Sequence, residues 1–338
     1  MNASFGRLHR RRFVPKKSWP EASVWDLACE LLARLGAPTA AESNASEAAQ
    51  LLLLTALRNA LDAAVETPKN RLSLSNIAEL SRFTVHCIAS CKVPVRGAVH
   101  LDVGCGAINP FARMFTHMMA GVQRAYCLEL DDIDDESDAV RMLARLATGA
   151  LLDPRAVFGN TPITRREILD NVADFDLARL AAGDRGGMPE RLAFLKRSAA
   201  DTGLPDRSVD LVVTQSVLEH LSDVDAVFAE LARITRPGGF GIHGVDTIDH
   251  RWYGRPDLHP LEFLTIASNE RIVHESNRLR LFEFEELFAR HGFRVRERWK
   301  GSPVAILDSL RQRLVEPWRS MPDEKLAMTW TSYCLQKE

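Results

Sequence analysis

The residues of this chain best suited to chemistry stand where short apolar runs end in glycine or in an acid. Val99-His100-Leu101-Asp102-Val103-Gly104-Cys105-Gly106 reads as a buried strand entering a turn with two glycines two positions apart. Backbone without Cβ atoms can lie directly against a ligand there. Asn109 and Pro110 supply a cap and a first helical residue, so the turn is expected to open a helix. One helix and one strand later, Ala125-Tyr126-Cys127-Leu128-Glu129 ends in a carboxylate. In a doubly wound fold an acid at that strand tip hydrogen-bonds the two hydroxyls of a nucleoside ribose. The same pattern also serves a dinucleotide, whose fingerprint wants a third glycine where this chain has Asn109, or simply closes a strand onto a helix.

The elements that must position these residues follow from periodicity. Short β-branched runs mark strands near 98–103, 124–129, 193–198, 209–214 and 239–245, with two more near 293–299 and 328–335. Helical stretches separate most of them, which gives an α/β class with a doubly wound, mostly parallel sheet. Ser222 with Asp225 reads as a capping box ahead of the stripe Val224, Val227, Phe228, Leu231 and Ile234, and Pro237-Gly238-Gly239 reads as that helix's end. The connections 130–192 and 246–282 exceed simple crossovers and are expected to carry elements of their own over the ligand-binding edge. The acidic run from Asp131 to Glu136 is read as a solvated helix start.

Three regions result: a basic tail over 1–22, a helical N-terminal extension over 23–96, and a catalytic domain over 97–338 with the two insertions. The extension has one helix from Ser23 to Leu35, one carrying Leu54, Leu57, Leu61 and Val65, and one carrying Ile77, Leu80, Thr84, Ile88 and Cys91. A formal net charge of -2 sets up no global field for polyanions, so bulk nucleic-acid binding is not favoured. Six cysteines scattered without CxxC pairs point to a reducing compartment, and no apolar run is long enough to span a bilayer; the expectation is a cytoplasmic protein of unread oligomeric state.

The deciding segment is Leu204-Pro205-Asp206-Arg207-Ser208-Val209-Asp210, continued by Leu218-Glu219-His220-Leu221 and Arg236-Pro237-Gly238-Gly239. Together with Leu101 to Gly106 and Glu129, this series resembles the class I S-adenosylmethionine-dependent methyltransferases, in the group with LP..S.D, LEHL and PGG motifs. The resemblance covers about residues 97–245. It implies a Rossmann-like, seven-stranded sheet whose last strand runs antiparallel, and S-adenosyl-L-methionine as cofactor. It also implies that Asp102, Gly104, Cys105 and Gly106 line the methionine part, Glu129 and Leu130 the ribose side, Asp201 and Thr202 the adenine, and Gln215 the floor beneath the sulfonium. Two features depart from the group: Ile108 replaces a frequent third glycine, and Asp201 lies unusually close to Leu204.

Methyl transfer from a sulfonium is an in-line displacement, so the protein must mainly align the acceptor and exclude water. An alcohol acceptor must also lose a proton, and histidine is the usual device. His250 is the favoured base, with Asp249 or Asp246 orienting a neighbour, ahead of His220 and His243. Arg278 and Arg280 are either a clamp for an acidic substrate or an exposed pair leading a helix. Asp246, Asp249, His250 and His259 match no compact ligand spacing, and no metal is expected. The stretch from Gly241 to His250, with Asn277 to Arg280, is similar to a subgroup linked to surface-glycan or secondary metabolism. O-methylation of a small molecule or glycan is therefore the leading reading. The alternatives are a non-catalytic cofactor-binding or scaffold member and a nucleic-acid or amine methyltransferase. Thr214-Gln215-Ser216-Val217 stands where the latter place an Asn/Asp-Pro-Pro-aromatic turn, and the LEHL and PGG segments speak against a nicotinamide dehydrogenase.

Overall fold

The computed structural model of the chain describes residues 74–270 and 272–338. The basic tail and the first two helices of the expected extension lie outside the described residues. Seven strands form one sheet in the order β3-β2-β1-β4-β5-β7-β6. They are β1 (Val99–Val103), β2 (Arg124–Glu129), β3 (Leu192–Lys196), β4 (Val209–Gln215), β5 (Thr235–Asp246), β6 (Phe293–Lys300) and β7 (Trp330–Lys337). The first five pair in parallel, and β7 runs antiparallel between β5 and β6, as the family resemblance implies. The chain winds outward from β1 to β3 and then returns to place β4 on the other side of β1. In open α/β sheets, ligands bind at the carboxyl ends of the strands on either side of such a switch point.

Helices cover both faces. On one lie α1 (Leu74–Ser90), α2 (Ala112–Met119), α3 (Glu136–Leu152), α4 (Pro154–Phe158), α5 (Arg165–Asn171) and α6 (Leu177–Ala181), packed on Ala125, Cys127, Leu211 and Val213. The expected third helix of the extension is therefore part of this layer: Val85, Cys87 and Ile88 of α1 share its core. On the other face lie α7 (Val224–Ile234) and α8 (Leu281–Arg290), whose Phe228, Phe284 and Phe288 pack on Leu101, Val103 and Val212. Each such buried phenylalanine contributes about 1.5–3 kcal/mol relative to an exposed one. A third, smaller core joins Leu261, Phe263 and Leu264 to Leu310, Leu314 and Leu326, so the 246–282 connection and the segment between β6 and β7 build one wall together.

Several local expectations change. Helix α7 is capped by Asp223, whose carboxylate accepts from the Ala226 amide at 3.0 Å, not by the Ser222–Asp225 box. The Pro237-Gly238-Gly239 segment does not terminate α7: the helix stops at Ile234, and these residues form an irregularity within β5, where pairing jumps from Val209–Thr235 to Leu211–Phe240. Helix α2 starts at Ala112 after a turn in which the Ala112 amide bonds the Asn109 carbonyl, later than Asn109 and Pro110 predicted. The acidic run does start a helix: Asp135 caps α3 by accepting from the Asp138 amide at 2.9 Å. The 130–192 connection does carry its own elements, but they pack on the α1–α2 face and meet the glycine loop where the Asp134 amide donates to the Ala107 carbonyl.

Three histidines are buried in these layers. His243, a candidate base, lies on β5 between Phe228 and Phe288 with Nδ1 2.9 Å from Thr214 Oγ1, and burial pushes its pKa down to about 3. It belongs to the core. His100 and His117 meet through their Nδ1 atoms at 3.0 Å, and burial lowers His100 to about 4 and His117 well below its usual value. All three fold as neutral rings, whereas in the unfolded chain they gain protons below a pKa of about 6.5. Their contribution to stability is present above that value and is lost as pH falls toward the depressed folded values. For His243 the loss at pH 5 is about 2 kcal/mol. The melting temperature should therefore drop between pH 7.5 and pH 5, and less steeply in the His243→Leu/Thr214→Val double variant. Parallel pH profiles for the two proteins would contradict this assignment.

Candidate functional site

The end of β1 turns because two residues take left-handed backbone angles, Gly104 at φ 69° and Gly106 at φ 80°, a region that costs residues with a Cβ. A Cβ on Gly104 would stand 2.4 Å from Val217 Cγ2, so its absence also admits the segment that follows β4. Around Gly106 no described atom comes within 4 Å of a Cβ position, and that side of the loop faces open space. The loop is fastened to β2: Leu128 O accepts from the Gly104 amide at 2.9 Å, and Glu129 Oε2 accepts from the Gly106 amide at 2.9 Å. Glu129 Oε1 accepts from the Leu130 amide at 2.8 Å. The carboxylate thus lies over the glycine loop, the adjoining Leu130 is 63% exposed, and Ile108 in the loop is exposed as well.

The other expected cofactor residues fall on the same edge with different surroundings. Asp102 is buried and paired with Arg113 Nη1 at 2.5 Å; burial pushes its carboxyl up against the pull of that guanidinium. It anchors the loop to α2. Cys105 is half-buried, and burial raises its thiol pKa. Asp201 is exposed in a turn closed by its amide on the Ser198 carbonyl at 3.0 Å. Thr202 is buried, with its amide and hydroxyl on Glu230 Oε1 at 2.8 and 2.6 Å. Gln215 ends β4 and packs over Gly244, where a Cβ would come within 2.3 Å of its Nε2.

Beyond Gln215, the turn Leu218–His220 and the end of β5 bring three side chains together. Glu219 is fully buried; its Oε1 accepts from the Asp246 amide at 3.3 Å, and burial, aided by Asp246, pushes its pKa up to about 8. His220 Nδ1 lies 2.6 Å from the Glu275 carbonyl. A carbonyl can only accept, so Nδ1 carries a proton, and in the neutral ring Nε2 is the nitrogen with the lone pair. His250 packs edge-on to His220 with ring centroids 4.7 Å apart, and burial and His220 lower its pKa. One donor atom from each of Glu219, His220 and His250 lies within 4.8 Å of the other two. Tyr253 borders the group and donates its hydroxyl to Asp246.

The structure brings the candidate bases His220 and His250 together, with Glu219, to which the sequence reading gave no role although it stands inside the Leu218-Glu219-His220-Leu221 motif. An acid flanked by residues of an apolar stripe was the available signal. Tyr253 carried none. Asp249 does not orient His250: it is buried and paired with Arg251 at 2.6 Å, which together with the Arg251 amide holds its carboxyl low despite burial. His259 turns away to the Ala305 carbonyl, so the set Asp246, Asp249, His250 and His259 is not assembled. Arg278 and Arg280 are neither an exposed pair nor a clamp. Arg278 holds the Ile266, Ser268 and Glu270 carbonyls over the Trp318 ring, and Arg280, fully buried, holds the Thr247 and Leu326 carbonyls.

A family model described as a methyltransferase domain matches residues 167–242, from α5 to the middle of β5. An uncharacterized methyltransferase of Mycobacteroides abscessus is 31% identical over 97 residues, covering 23% of this chain and 38% of that protein. A sterol 24-C-methyltransferase of Aspergillus fumigatus is 31% identical over 75 residues, covering 22% of this chain and 20% of that protein. The chain spans well under half the length of these curated relatives. Among solved structures, an S-adenosylmethionine-dependent methyltransferase from Mesorhizobium loti aligns over 78% of this chain and 100% of its own, at 15% identity and a TM-score of 0.41. Geranyl diphosphate methyltransferase in complex with GPP and sinefungin aligns over 77% of this chain and 78% of its own, at 13% identity and a TM-score of 0.43.

Because Arg280 ties two carbonyls in the interior, Arg280→Met should lower unfolding free energy by about 1–3 kcal/mol through the acceptors it orphans. Denaturant titration measures this, and an unchanged midpoint would show the contacts to be inconsequential.

Proposed function

We propose that this chain, which matches a methyltransferase-domain model over residues 167–242, uses S-adenosylmethionine to methylate a hydroxyl of a small molecule or glycan at the edge formed by β1, β2, β4 and β5. The observation that carries the reading is the convergence of the glycine loop and Glu129 with the polar group of Glu219, His220 and His250 at the carboxyl ends of neighbouring strands. The loop fits the cofactor: the space beside Gly106 takes its amino-acid end, and Glu129, already accepting from two amides, has lone pairs left for ribose hydroxyls. Leu130 and Ile108 offer apolar surface to the nucleoside, with Asp201 toward the base. Asp102 and Cys105 stiffen the loop from behind, Thr202 fixes the turn that carries Asp201, and Gln215 closes the floor.

When bound, S-adenosylmethionine supplies a methyl group on a sulfonium, open to in-line attack by oxygen. The chain's own residues then have three tasks: to align the acceptor, to keep water out and to receive or weaken its proton. Tyr253 and Trp252, whose rings meet at 5.9 Å, give the acceptor an aromatic flank. Glu219, His220 and His250 engage its hydroxyl. The net charge, together with the segment that follows β4, favours a small-molecule or glycan acceptor over nucleic acid.

Calorimetric titration with S-adenosylmethionine should give saturable binding to the intact chain. Glu129→Ala should weaken it about tenfold or more, one tenfold step being about 1.4 kcal/mol, and Gly106→Val should block it. His250→Ala should leave cofactor affinity unchanged and lower the rate of S-adenosylhomocysteine formation with a hydroxylated acceptor about 100-fold. Absence of cofactor binding by the intact chain would remove the proposal, and full activity of His250→Ala would remove the role of the polar group.

A further inference from the structure

We propose that Glu219, His220 and His250 form a binding site for a divalent first-row transition-metal ion of the zinc class. This deepens the reading above by naming how the acceptor hydroxyl is engaged, and it rests on that reading for its catalytic use but not for the binding of the ion itself. Three donor types converge, a carboxylate and two imidazoles, with one ligand atom from each within 4.8 Å of the others. On a tetrahedral ion, ligand bonds near 2.0–2.2 Å place donor atoms about 3.3 Å apart, a contraction within reach of side-chain rotation.

Two of the donors are otherwise unexplained. Glu219 Oε2 and His250 Nε2 are buried and lack a hydrogen-bond partner among the described residues, so each calls for a water or an ion as its partner. The third is held ready. His220 Nδ1 donates to the Glu275 carbonyl, so its Nε2 is a free donor. His250 offers its orphaned Nε2 as the coordinating atom. The His220 imidazole is thus fixed in orientation by a backbone carbonyl, the arrangement that metal-ligating histidines require of their surroundings, and the His250 ring is held between those of His220 and Tyr253. The carbonyl that holds His220 belongs to a turn at His274 and Glu275 with φ of 49° and 66°. Asn277 ties that turn to the 218–221 segment through the Leu218 and Leu221 carbonyls at 2.8 and 3.0 Å.

Three protein ligands leave at least one coordination position open, as in catalytic rather than structural sites. Two imidazoles with one carboxylate favour zinc, iron(II), cobalt(II) or nickel(II) over magnesium and calcium. With the acceptor oxygen at the open position, its O–H pKa falls and the proton passes to solvent. The oxygen then forms the C–O bond as the S–C bond breaks, giving the methyl ether and neutral S-adenosylhomocysteine.

The test uses the full-length chain stripped of metal by chelator and titrated with Co²⁺, read by visible absorption, and with Zn²⁺, read by calorimetry. The expected result is one saturable site per chain with a ligand-field band of low-symmetry Co²⁺, competed by Zn²⁺ and not by Mg²⁺ or Ca²⁺. His220→Ala, an exposed position, and Glu219→Gln should each weaken Co²⁺ binding about tenfold or more, with melting of the metal-free protein checked to verify folding. Absence of a saturable Co²⁺ site, competition by Mg²⁺ at equal concentration, or unchanged affinity in a folded His220→Ala would each overturn the proposal. Because cofactor titration is independent of this readout, a chain that binds S-adenosylmethionine but no Co²⁺ fails here alone.

Discussion

The hydrogen bond between the Gly106 amide and the Glu129 carboxylate sets the geometry on which the whole edge depends. For that amide to point at the acid, the loop must run through left-handed backbone at both glycines. With no Cβ on Gly104, Val217 can settle against the loop, and Val217 leads directly into the turn that presents Glu219 and His220. The proposed cofactor side and the proposed acceptor side are thus joined through one packing contact. A residue with a side chain at position 104 would disturb both, which makes Gly106 and Glu129 the cleaner positions at which to probe the cofactor alone.

Burial decides the fate of most of the polar residues on the acceptor side. His243 is neutral and packed, Asp249 is satisfied by Arg251, and Arg278 and Arg280 bind carbonyls. What remains open after this sorting is the group of Glu219, His220 and His250, where two buried atoms have no partner among the described residues. Interior arginines that engage main-chain carbonyls carry a large cost if removed, since the carbonyls cannot regain water. Their position between β5 and the third core fixes the segments from which His250 and the Glu275 carbonyl project.

Much of the fold was legible because its signals are local. The run from Arg124 to Glu129 was placed to the residue, and the other strands to within a few positions, since buried parallel strands read as short apolar runs between polar turns. Strand β5 was the exception: Pro237-Gly238-Gly239 is punctuation by residue type, and only pairing with β4 shows the strand resuming across it. The cap of α7 shifted by one residue because Ser222 and Asp223 are both competent and geometry chose the second. Placements were legible where the chain order puts residues at strand ends, as for Glu129, His220 and His250. They were not where a decision depends on which face of a strand is covered, as for His243, or on a distant carbonyl, as for Arg280.

The third core gives the acceptor side a foundation of its own. Leu261, Phe263 and Leu264 pack with Leu310, Leu314 and Leu326, apart from the two layers that sandwich the sheet. A lobe with separate packing can be rebuilt by drift, lengthened or repopulated with other aromatic groups, while the strands and the nucleoside edge keep their shape. Under the proposed function, a change of acceptor need not then disturb the edge that would hold the cofactor.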